Sequence, residues 1–387
     1  MPRLLWLFAA VNLVIGTSAF MLPGILAPLA QGLNVSIPAA GQGMSTYALG
    51  IALVGPPLLL LTGRWSRRST LLACMALFTL GCILSAAAQE LWQLLAGRFL
   101  MGVGALFTPI ATGIAVALAP PGQQGRAMSR VFLGMSLSYV IGVPLGTWLA
   151  AHHGWHLPLW LAAAASALAT LGLAVAVPRQ VAAPGASFIG APALLARGDV
   201  LSVLGLTVLY FTAIFSIMSY SAPVFVSLVP MDADALSATM VVFGLAGVAG
   251  TFLGGWAVDR FGPARSLRVQ LTVLLLAMAA LPLTRGHHGM LLLVMVTWGM
   301  AGFSMMAPQL SRLAALAPRQ APLLLSLNTS MLYIGTALGA ALGGAAAAAW
   351  GLHRLGWVGA VVAAAGLVLL LATARRTAAG AASPPAS

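Results

Sequence analysis

Acidic side chains are scarce in this sequence, which contains only 5 Asp and Glu residues among 387. One of them, Asp259, directly precedes Arg260 in the stretch GGWAVDRFGPARSL (254–267), and apolar runs lie on both sides. An ion pair at the end of an apolar segment contributes modestly to stability, so it can be made and broken repeatedly. Asp259 is therefore one of the few groups of this chain that could form an electrostatic contact with arginine.

The sequence offers no cluster that could catalyse a reaction or bind a metal. Enzymes that act at membrane depth need grouped carboxylates, histidines or a nucleophile with its base. There is no lysine, which excludes a phosphate-binding loop of the G-x-x-x-x-G-K-[ST] type. We therefore expect no enzyme, no catalytic residue, no metal and no cofactor. The other acids and the 6 histidines lie in or beside polar connectors: Glu90, Asp199, Asp232, Asp234, His152, His153, His156, His287, His288 and His353.

Arg98 is the one charge that the pattern places inside an apolar span. An arginine in hydrocarbon is costly and normally faces a partner or an aqueous cavity, which predicts a cavity or coupling role. The alternative is that its long side chain reaches the outer surface. Arginine stays protonated at physiological pH, so Arg98 can hold an anionic group but cannot itself carry a proton.

The elements that position these residues are membrane helices. The chain is 61% hydrophobic and 6% charged, with a mean hydropathy of +1.02, whereas soluble domains carry about 25% charged residues. A helix needs roughly 20 apolar residues to cross the hydrocarbon layer, and eleven polar connectors divide the chain into twelve such runs. The alternation of β-barrel strands is absent. We predict an all-α membrane protein with twelve transmembrane helices, the first of them uncleaved.

Arginine distribution predicts the orientation of these helices. All 18 basic residues are arginine, and with the N-terminus inside the cell 15 of them fall at cytosolic ends or loops. Arg285 and Arg354 fall outside, which is the bias that the positive-inside rule describes. Both termini are therefore expected in the cytosol, in a multi-pass protein of the bacterial-type inner membrane. The net charge of +13 does not indicate nucleic-acid binding, because no loop is long enough to form a basic domain.

A repeat relates the two halves of the chain. At an offset of 196, Arg64-Trp65-Ser66 overlays Arg260-Phe261-Gly262, and at 197 GWH (154–156) overlays GLH (351–353). Duplicated membrane bundles are a transporter architecture in which the substrate site lies at the midplane between the halves. We predict two pseudo-symmetric six-helix bundles with these bounds: 1–178 for the first, 179–199 for a cytosolic linker, 200–374 for the second and 375–387 for a disordered cytosolic tail.

These motifs resemble the major facilitator superfamily, and within it the twelve-helix drug/proton antiporter branch with its sugar-efflux and arabinose-efflux-permease-like members. The family's loop between its second and third helices has the pattern G-x-x-x-D-R-x-G-R-R. RFLMGVG (98–104), GVPLG (142–146) and the stretch 316–344 are also similar to family motifs. The second-half copy of the loop keeps Gly255, Asp259, Arg260 and Gly262, and the first-half copy keeps Arg64, Arg67 and Arg68.

The resemblance implies that this loop is a conformational latch. Its acid and arginines would hold neighbouring helices together at the cytosolic mouth in the outward-facing state. Gly63 occupies the position of the acid in the first copy, so the latch would depend on Asp259. The alternative is that Asp259 only supports the topology or packing of one tight loop.

Coupling to protons is left open by the residues. The first helix of the sugar-efflux members has a pattern like G-T-x-E-F. The corresponding stretch of this chain is GTSAF (16–20), with Ala19 at the glutamate position. We predict no acid or histidine at mid-membrane. Facilitated diffusion and coupling through Asp259 both remain candidates.

Polar and aromatic side chains within the predicted spans are the candidates for substrate binding, with hydrogen bonding between helices as the alternative for each. They are Asn12, Tyr47, Tyr139, Tyr210, Tyr220, Gln309, Asn328 and Tyr333. Small residues allow close helix packing, and proline bends a helix by removing a backbone donor. The candidates for helix packing are Gly102, Gly104, Gly142, Pro144, Gly146, Gly335, Gly339 and Gly343.

The function that follows is secondary transport of a small-molecule substrate by a monomer in the lipid bilayer, with protons as a candidate coupling ion. Export of drug-like or sugar-like compounds is the expectation from the resemblance. The alternatives are an uncoupled facilitator or importer of a small metabolite and, in a different class, a non-transporting sensor or channel.

Overall fold

A computed structural model describes residues 2–61, 65–120, 123–178 and 191–382, and within these ranges all regular structure is helical. The first half contains helix 1 (Pro2–Phe20 and Leu22–Gly32), helix 2 (Ile37–Leu61), helix 3 (Arg67–Ala86), helix 4 (Leu91–Gly104 and Phe107–Leu118), helix 5 (Gln124–Leu137, a π turn Ser138–Gly142, and Val143–His153) and helix 6 (His156–Ala176). The second half contains helix 7 (Gly198–Met218 and Ser221–Leu228), helix 8 (Ala233–Phe261), helix 9 (Pro263–Ala280), helix 10 (His288–Ser304 and Met306–Leu316), helix 11 (Ala321–Trp350) and helix 12 (Leu355–Ala382).

These helices confirm the predicted twelve-helix membrane fold. Eleven helical segments among the described residues are long and apolar enough to cross a membrane, and helix 2, with 25 residues, makes the twelfth. An even number of crossings places both chain ends at one face of the bundle. We call this the terminal face and the opposite one the distal face.

The repeat is visible in the backbone. Helices 1, 4, 7 and 10, the first and fourth of each half, are each interrupted near their middle. Gly154 ends helix 5 with a φ of +86°, and Gly351 ends helix 11 with a φ of +84°. Positive φ is readily available only to glycine. The GxH pair found at an offset of 197 therefore forms the same distal turn in both halves.

Glycines bring helices into close contact within each half. A Cβ on any of the seven predicted packing glycines would come within 3.2 Å of a neighbouring helix. Gly102 and Gly104 face helices 2 and 3, Gly142 and Gly146 face helix 1, and those of helix 11 face helix 7. Pro144 lies two residues after the end of the π turn, so the missing proline donor coincides with a local change in helix geometry.

The linker and the chain end contain more helix than the sequence predicted. A short helix, Ala191–Leu195, lies within the predicted linker, and helix 7 begins at Gly198. Helix 12 continues through Ala382 into the segment predicted to be a disordered tail. Its final residues are rich in alanine, the strongest helix former, so they extend an existing helix at little cost. Residues 179–190 and 383–387 lie outside the described ranges.

Candidate functional site

Aromatic rings from both halves meet near the middle of the bundle. Phe20 of helix 1 stacks on Tyr139 of helix 5 with 4.9 Å between ring centroids. Tyr139 meets the edge of Phe303 of helix 10 at 5.1 Å, and Phe20 lies 6.4 Å from Phe215 of helix 7. We call these four residues the central aromatic cluster. It is the place where helices 1 and 5 of the first half contact helices 7 and 10 of the second.

Two further phenols approach this cluster. Tyr333, at the middle of helix 11, is half-buried and packs against the hydrophobic core of the first half. It lies near Tyr47 of helix 2 and Tyr139 of helix 5. Three of the predicted substrate-binding candidates, Tyr47, Tyr139 and Tyr333, are thus brought together from three different helices at the interface between the halves.

The distal side of this interface is closed. Ser45 Oγ donates to the carbonyl oxygen of Ala337 at 3.1 Å, which joins helix 2 to helix 11. Tyr220, at the break in helix 7, donates to Ala340 O at 2.9 Å, and Gln42 Nε2 approaches its hydroxyl at 3.4 Å. The candidate Tyr220 therefore lies at the distal closure rather than in the central cluster.

A second distal contact joins helices 5 and 8. Trp148 Nε1 donates to Asp234 Oδ1 at 2.9 Å, and His152 Nε2 lies 3.8 Å from the same oxygen. The rings of Trp148 and His152 stack at 4.5 Å. This contact, which we call the distal latch, was not predicted. The spacing of Trp148 and His152 places both on one face of a helix, but nothing in the sequence identified Asp234 as their partner.

Helices 5 and 8 diverge towards the terminal face. Gly244 and Gly255 are eleven residues apart, about three turns, and so share one face of helix 8. A Cβ on Gly244 would overlap the carbonyl oxygen of Tyr139, whereas nothing lies within 4 Å of a Cβ on Gly255. Within the described ranges, the hydrogen bonds seen between the halves all lie on the distal side.

The predicted latch residues lie at this open, terminal side. Asp259 and Arg260 are exposed in the last turn of helix 8, and the carboxylate of Asp259 has no ion pair with any described residue. Gly262 makes the tight turn into helix 9 with a φ of +77°. In the first-half copy, Arg67 is buried and Arg68 donates to the carbonyl oxygen of Ala174, whereas Arg64 lies outside the described residues.

Arg98 is fully buried within the first half, so in this conformation it neither lines a cavity nor reaches the surface. Its guanidinium donates to the carbonyl oxygens of Ser18 at 2.9 Å, Ala19 at 2.7 Å and Gly43 at 3.3 Å. Pro23 has no N–H, so Ala19 O has no helical donor four residues ahead. The arginine thus satisfies a carbonyl at the break in helix 1 and connects helices 1, 2 and 4.

The candidate amides also bond within the halves. Asn12 Nδ2 donates to Val131 O at 2.9 Å and Asn12 Oδ1 accepts from Thr108 at 2.6 Å, which joins helices 1, 4 and 5. In the second half, Thr207 Oγ1 donates to Asn328 Oδ1 at 2.6 Å and accepts from Gln309 Nε2 at 2.8 Å, which joins helices 7, 10 and 11. These are corresponding helices of the repeat.

Tyr210 behaves in the same way. Its hydroxyl lies 2.7 Å from the carbonyl oxygen of Ala301 and 2.6 Å from that of Gly302 in helix 10. In this conformation the polar groups of Asn12, Tyr210, Gln309 and Asn328 contact other helices of their own half. What remains at the interface is predominantly aromatic.

All five acids of the chain are located at helix ends. Glu90 caps helix 4, Asp199 lies in the first turn of helix 7, Asp232 and Asp234 begin helix 8, and Asp259 is near its end. The six histidines lie at or beside helix ends as well. The central aromatic cluster therefore has no neighbouring carboxylate or imidazole that could exchange a proton.

Known proteins with similar sequences identify the family of this chain. The sequence pattern of the Major Facilitator Superfamily matches residues 8–321. The chain belongs to this superfamily. It is 34% identical over 366 residues to the inner membrane transport protein YdhP of Escherichia coli (strain K12), covering 94% of this chain and 93% of that one. It is 28% identical to the MFS-type transporter YbcL of Bacillus subtilis, with 92% of each chain covered.

Solved structures of major facilitator proteins share this architecture. A bacterial homologue of the human lysosomal transporter Spinster, inward-facing and occupied, matches with a TM-score of 0.80, 17% identity and 97% of each chain covered. A D-xylose–proton symporter matches with a TM-score of 0.73, 17% identity, and 95% and 96% coverage. This major facilitator protein is therefore a multi-pass inner-membrane transporter of small molecules and not an enzyme.

Proposed function

We propose that this chain exports small, mostly apolar or aromatic solutes by alternating access between its two halves. The terminal face lies in the cytosol in this proposal, because arginines concentrate there and cytosolic ends carry such an excess. The described conformation is then inward-facing: its distal latch is made, and Asp259 forms no ion pair within the described ranges. In the outward-facing state the distal contacts would break and Asp259 would pair with arginine.

The observation that carries this proposal is the central aromatic cluster. Rings of helices 1 and 5 contact rings of helices 7 and 10 across the interface of the halves, near the middle of the bundle. Binding sites in duplicated transporters lie at the midplane between the repeats. A solute that entered from the terminal face would reach these rings first, and their separation would accompany the opening of the distal side.

The chemistry of the cluster favours drug-like aromatic solutes over sugars. Aromatic faces bind planar apolar rings and cations, whereas a sugar needs several hydrogen-bonding groups for its hydroxyls. The amides that could serve a sugar, Asn12, Gln309 and Asn328, bond to other helices. Tyr47, Tyr139 and Tyr333 are left to contribute phenol groups.

Coupling in this proposal does not use a mid-membrane carboxylate. Ala19 occupies the position at which sugar-efflux relatives have glutamate, and Arg98 binds its backbone oxygen. Transport would then be uncoupled or would depend on protonation of Asp259. The two mechanisms differ in whether a pH gradient moves solute uphill.

The test is flux into proteoliposomes that contain the full chain. A panel of fluorescent aromatic cations, neutral aromatic drugs and sugars would be measured with and without an imposed pH gradient. We expect the protein to transport the aromatic compounds, which should compete with one another for transport, and to transport sugars only slowly. The variant Tyr139→Ala should lose the transport of aromatic compounds. Sugar flux that exceeds aromatic flux would overturn the proposed substrate class, and drug flux unaffected by Tyr139→Ala would overturn the proposed site.

A further inference from the structure

A cavity of about 250 Å³ opens at the terminal face of the first half, away from the central cluster. It lies between the start of helix 1, the end of helix 4 and the start of helix 5. Leu4, Leu5 and Leu118 form an apolar wall, and Gln123, Arg126 and Arg130 supply its polar groups. Nothing in the transport mechanism uses these residues.

The two arginines of this cavity carry uncompensated charge. Arg126 and Arg130 are exposed, lie one turn apart on helix 5, and form no hydrogen bond or ion pair with another described residue. The only acid of residues 1–178 is Glu90, at the distal face. The cavity therefore presents positive charge that no acid of residues 1–178 balances, which suits an anionic ligand.

An apolar stripe leads from these arginines along helix 5 into the membrane. Leu133, Leu137, Ile141 and Leu145 follow Arg130 at helical spacing and are 40%, 37%, 55% and 52% exposed. From Leu133 to Leu145 the helix rises about 18 Å, slightly more than half of the roughly 30 Å hydrocarbon thickness. The stripe thus covers one leaflet and ends just beyond the midplane.

At the end of the stripe, an apolar groove of about 200 Å³ begins between helices 1, 5 and 6. Leu13, Gly142, Leu145 and Leu161 are among its lining residues. An acyl chain that followed the stripe would end in this groove. The surface of helix 5 thus has positive charge at its terminal end and an apolar path that covers one leaflet. A phospholipid with an anionic head group and an acyl chain is complementary to such a surface.

We propose that helix 5 holds an anionic phospholipid of the leaflet at the terminal face. Its phosphate lies in the cavity of Arg126, Arg130 and Gln123, and one acyl chain lies along the stripe. Basic pockets between membrane helices on the cytosolic side are suited to such head groups. A free phosphate anion would fill the cavity but would leave the stripe and the groove without a role.

The test is native mass spectrometry of the purified full chain in detergent with phosphatidylglycerol or phosphatidylcholine of identical acyl chains. We expect phosphatidylglycerol to bind more tightly, and Arg126→Gln and Arg130→Gln each to weaken its binding about 5-fold, the effect of about one kcal/mol per arginine at an anionic surface. Arg268→Gln is the matched control, because Arg268 is an exposed arginine at the terminal face on helix 9. It removes the same charge and should leave binding unchanged.

Three results would overturn the proposal. Equal binding of the two lipids, or an effect of Arg268→Gln as large as that of the cavity variants, would show that no specific site exists. Displacement of phosphatidylglycerol by an equal concentration of glycerophosphate would assign the cavity to a soluble anion. Short-chain phosphatidylglycerol should bind more weakly than the long-chain form, because it leaves the stripe uncovered.

Discussion

Arg98 is a buried charge bound by backbone oxygens and not by a carboxylate. Three carbonyl groups of helices 1 and 2 accept its hydrogen bonds, and the ring of Tyr47 lies 5.2 Å below the guanidinium. A buried charge without a counter-ion is tolerated only when its donors are satisfied. The side chain therefore holds the break in helix 1 in place next to the central cluster.

Replacing Arg98 by methionine keeps an unbranched, flexible side chain, shortens it by the guanidinium group and removes every donor. We expect Arg98→Met to lower the free energy of unfolding by about 1–3 kcal/mol for each carbonyl left without a partner. Thermal unfolding in detergent measures this as a fall of the melting temperature. Arg354→Met, at an exposed distal turn, is the control. Equal melting temperatures for Arg98→Met and the native chain would show that these hydrogen bonds do not stabilise the fold.

Tyr139 is the ring shared by two contacts of the central cluster. An aromatic pair contributes about 0.5–1.5 kcal/mol beyond burial, so Tyr139→Ala should weaken the binding of an aromatic solute by roughly 2- to 10-fold. Tyr139→Phe keeps the ring and should bind nearly as the native chain does. Equilibrium binding of a fluorescent solute is the measurement, with the half-exposed Trp160→Ala as control. If Tyr139→Phe were as weak as Tyr139→Ala, the phenol and not the ring would be the contact.

At the scale of elements, interruptions of helices position the site. Helix 1 breaks directly after Phe20, helix 10 breaks two residues after Phe303, and helix 7 breaks about one turn after Phe215. Tyr139 itself lies within the π turn of helix 5. Such turns commonly occur at functional sites because they redirect side chains without ending the helix. The rings therefore converge where the helices depart from regular geometry.

The contact between helices 5 and 8 at Gly244 can be tested as the cause of distal closure. A methyl group at Gly244 would overlap the carbonyl oxygen of Tyr139, so Gly244→Ala should push helices 5 and 8 apart on the distal side. We expect faster thiol labelling of a cysteine introduced at the distal end of helix 8, and slower transport. Gly113→Ala is the control, since nothing lies within 4 Å of its Cβ position. Unchanged labelling would mean that another contact closes the distal face.

At the scale of the whole molecule, two electrostatic contacts at opposite faces would oppose each other. The distal latch of Trp148, His152 and Asp234 is made in the described conformation. The carboxylate of Asp259, at the terminal face, has no ion pair with any residue that the structure describes. Each contact is partly exposed and so contributes modestly, which allows a bound solute to shift the balance between the two states.

If the two contacts oppose each other, removing each one should shift the populations of the two conformations in opposite directions. Asp234→Asn should favour the state open at the distal face, and Asp259→Asn the state open at the terminal face, each by at most about 5-fold in population. The double variant should return close to the native balance, since distant sites usually add. Distances between spin labels on helices 5 and 8, one pair at each face, report the populations. If Asp259→Asn left both the populations and the transport rate unchanged, the terminal latch would be excluded.

The twelve helices and their duplication could be predicted from the sequence because they follow from local properties. Runs of apolar residues set the spans, polar connectors set their ends, and the GxH pair at a fixed offset marked the same turn in both halves. The positions of the acids at helix ends followed as well. Each of these features depends on residues near one another in the chain and on the hydrocarbon thickness.

Only the tertiary structure decided which polar residues contact the interface and which contact a neighbouring helix. Asn12 and Tyr139 are equally plausible in the sequence, yet the first bonds within its half and the second meets rings of the other half. The direction of a side chain across a bundle depends on helix rotation and on breaks such as the one at Met21. Those depend on long-range packing, and Arg98 finds its acceptors more than fifty residues away for the same reason.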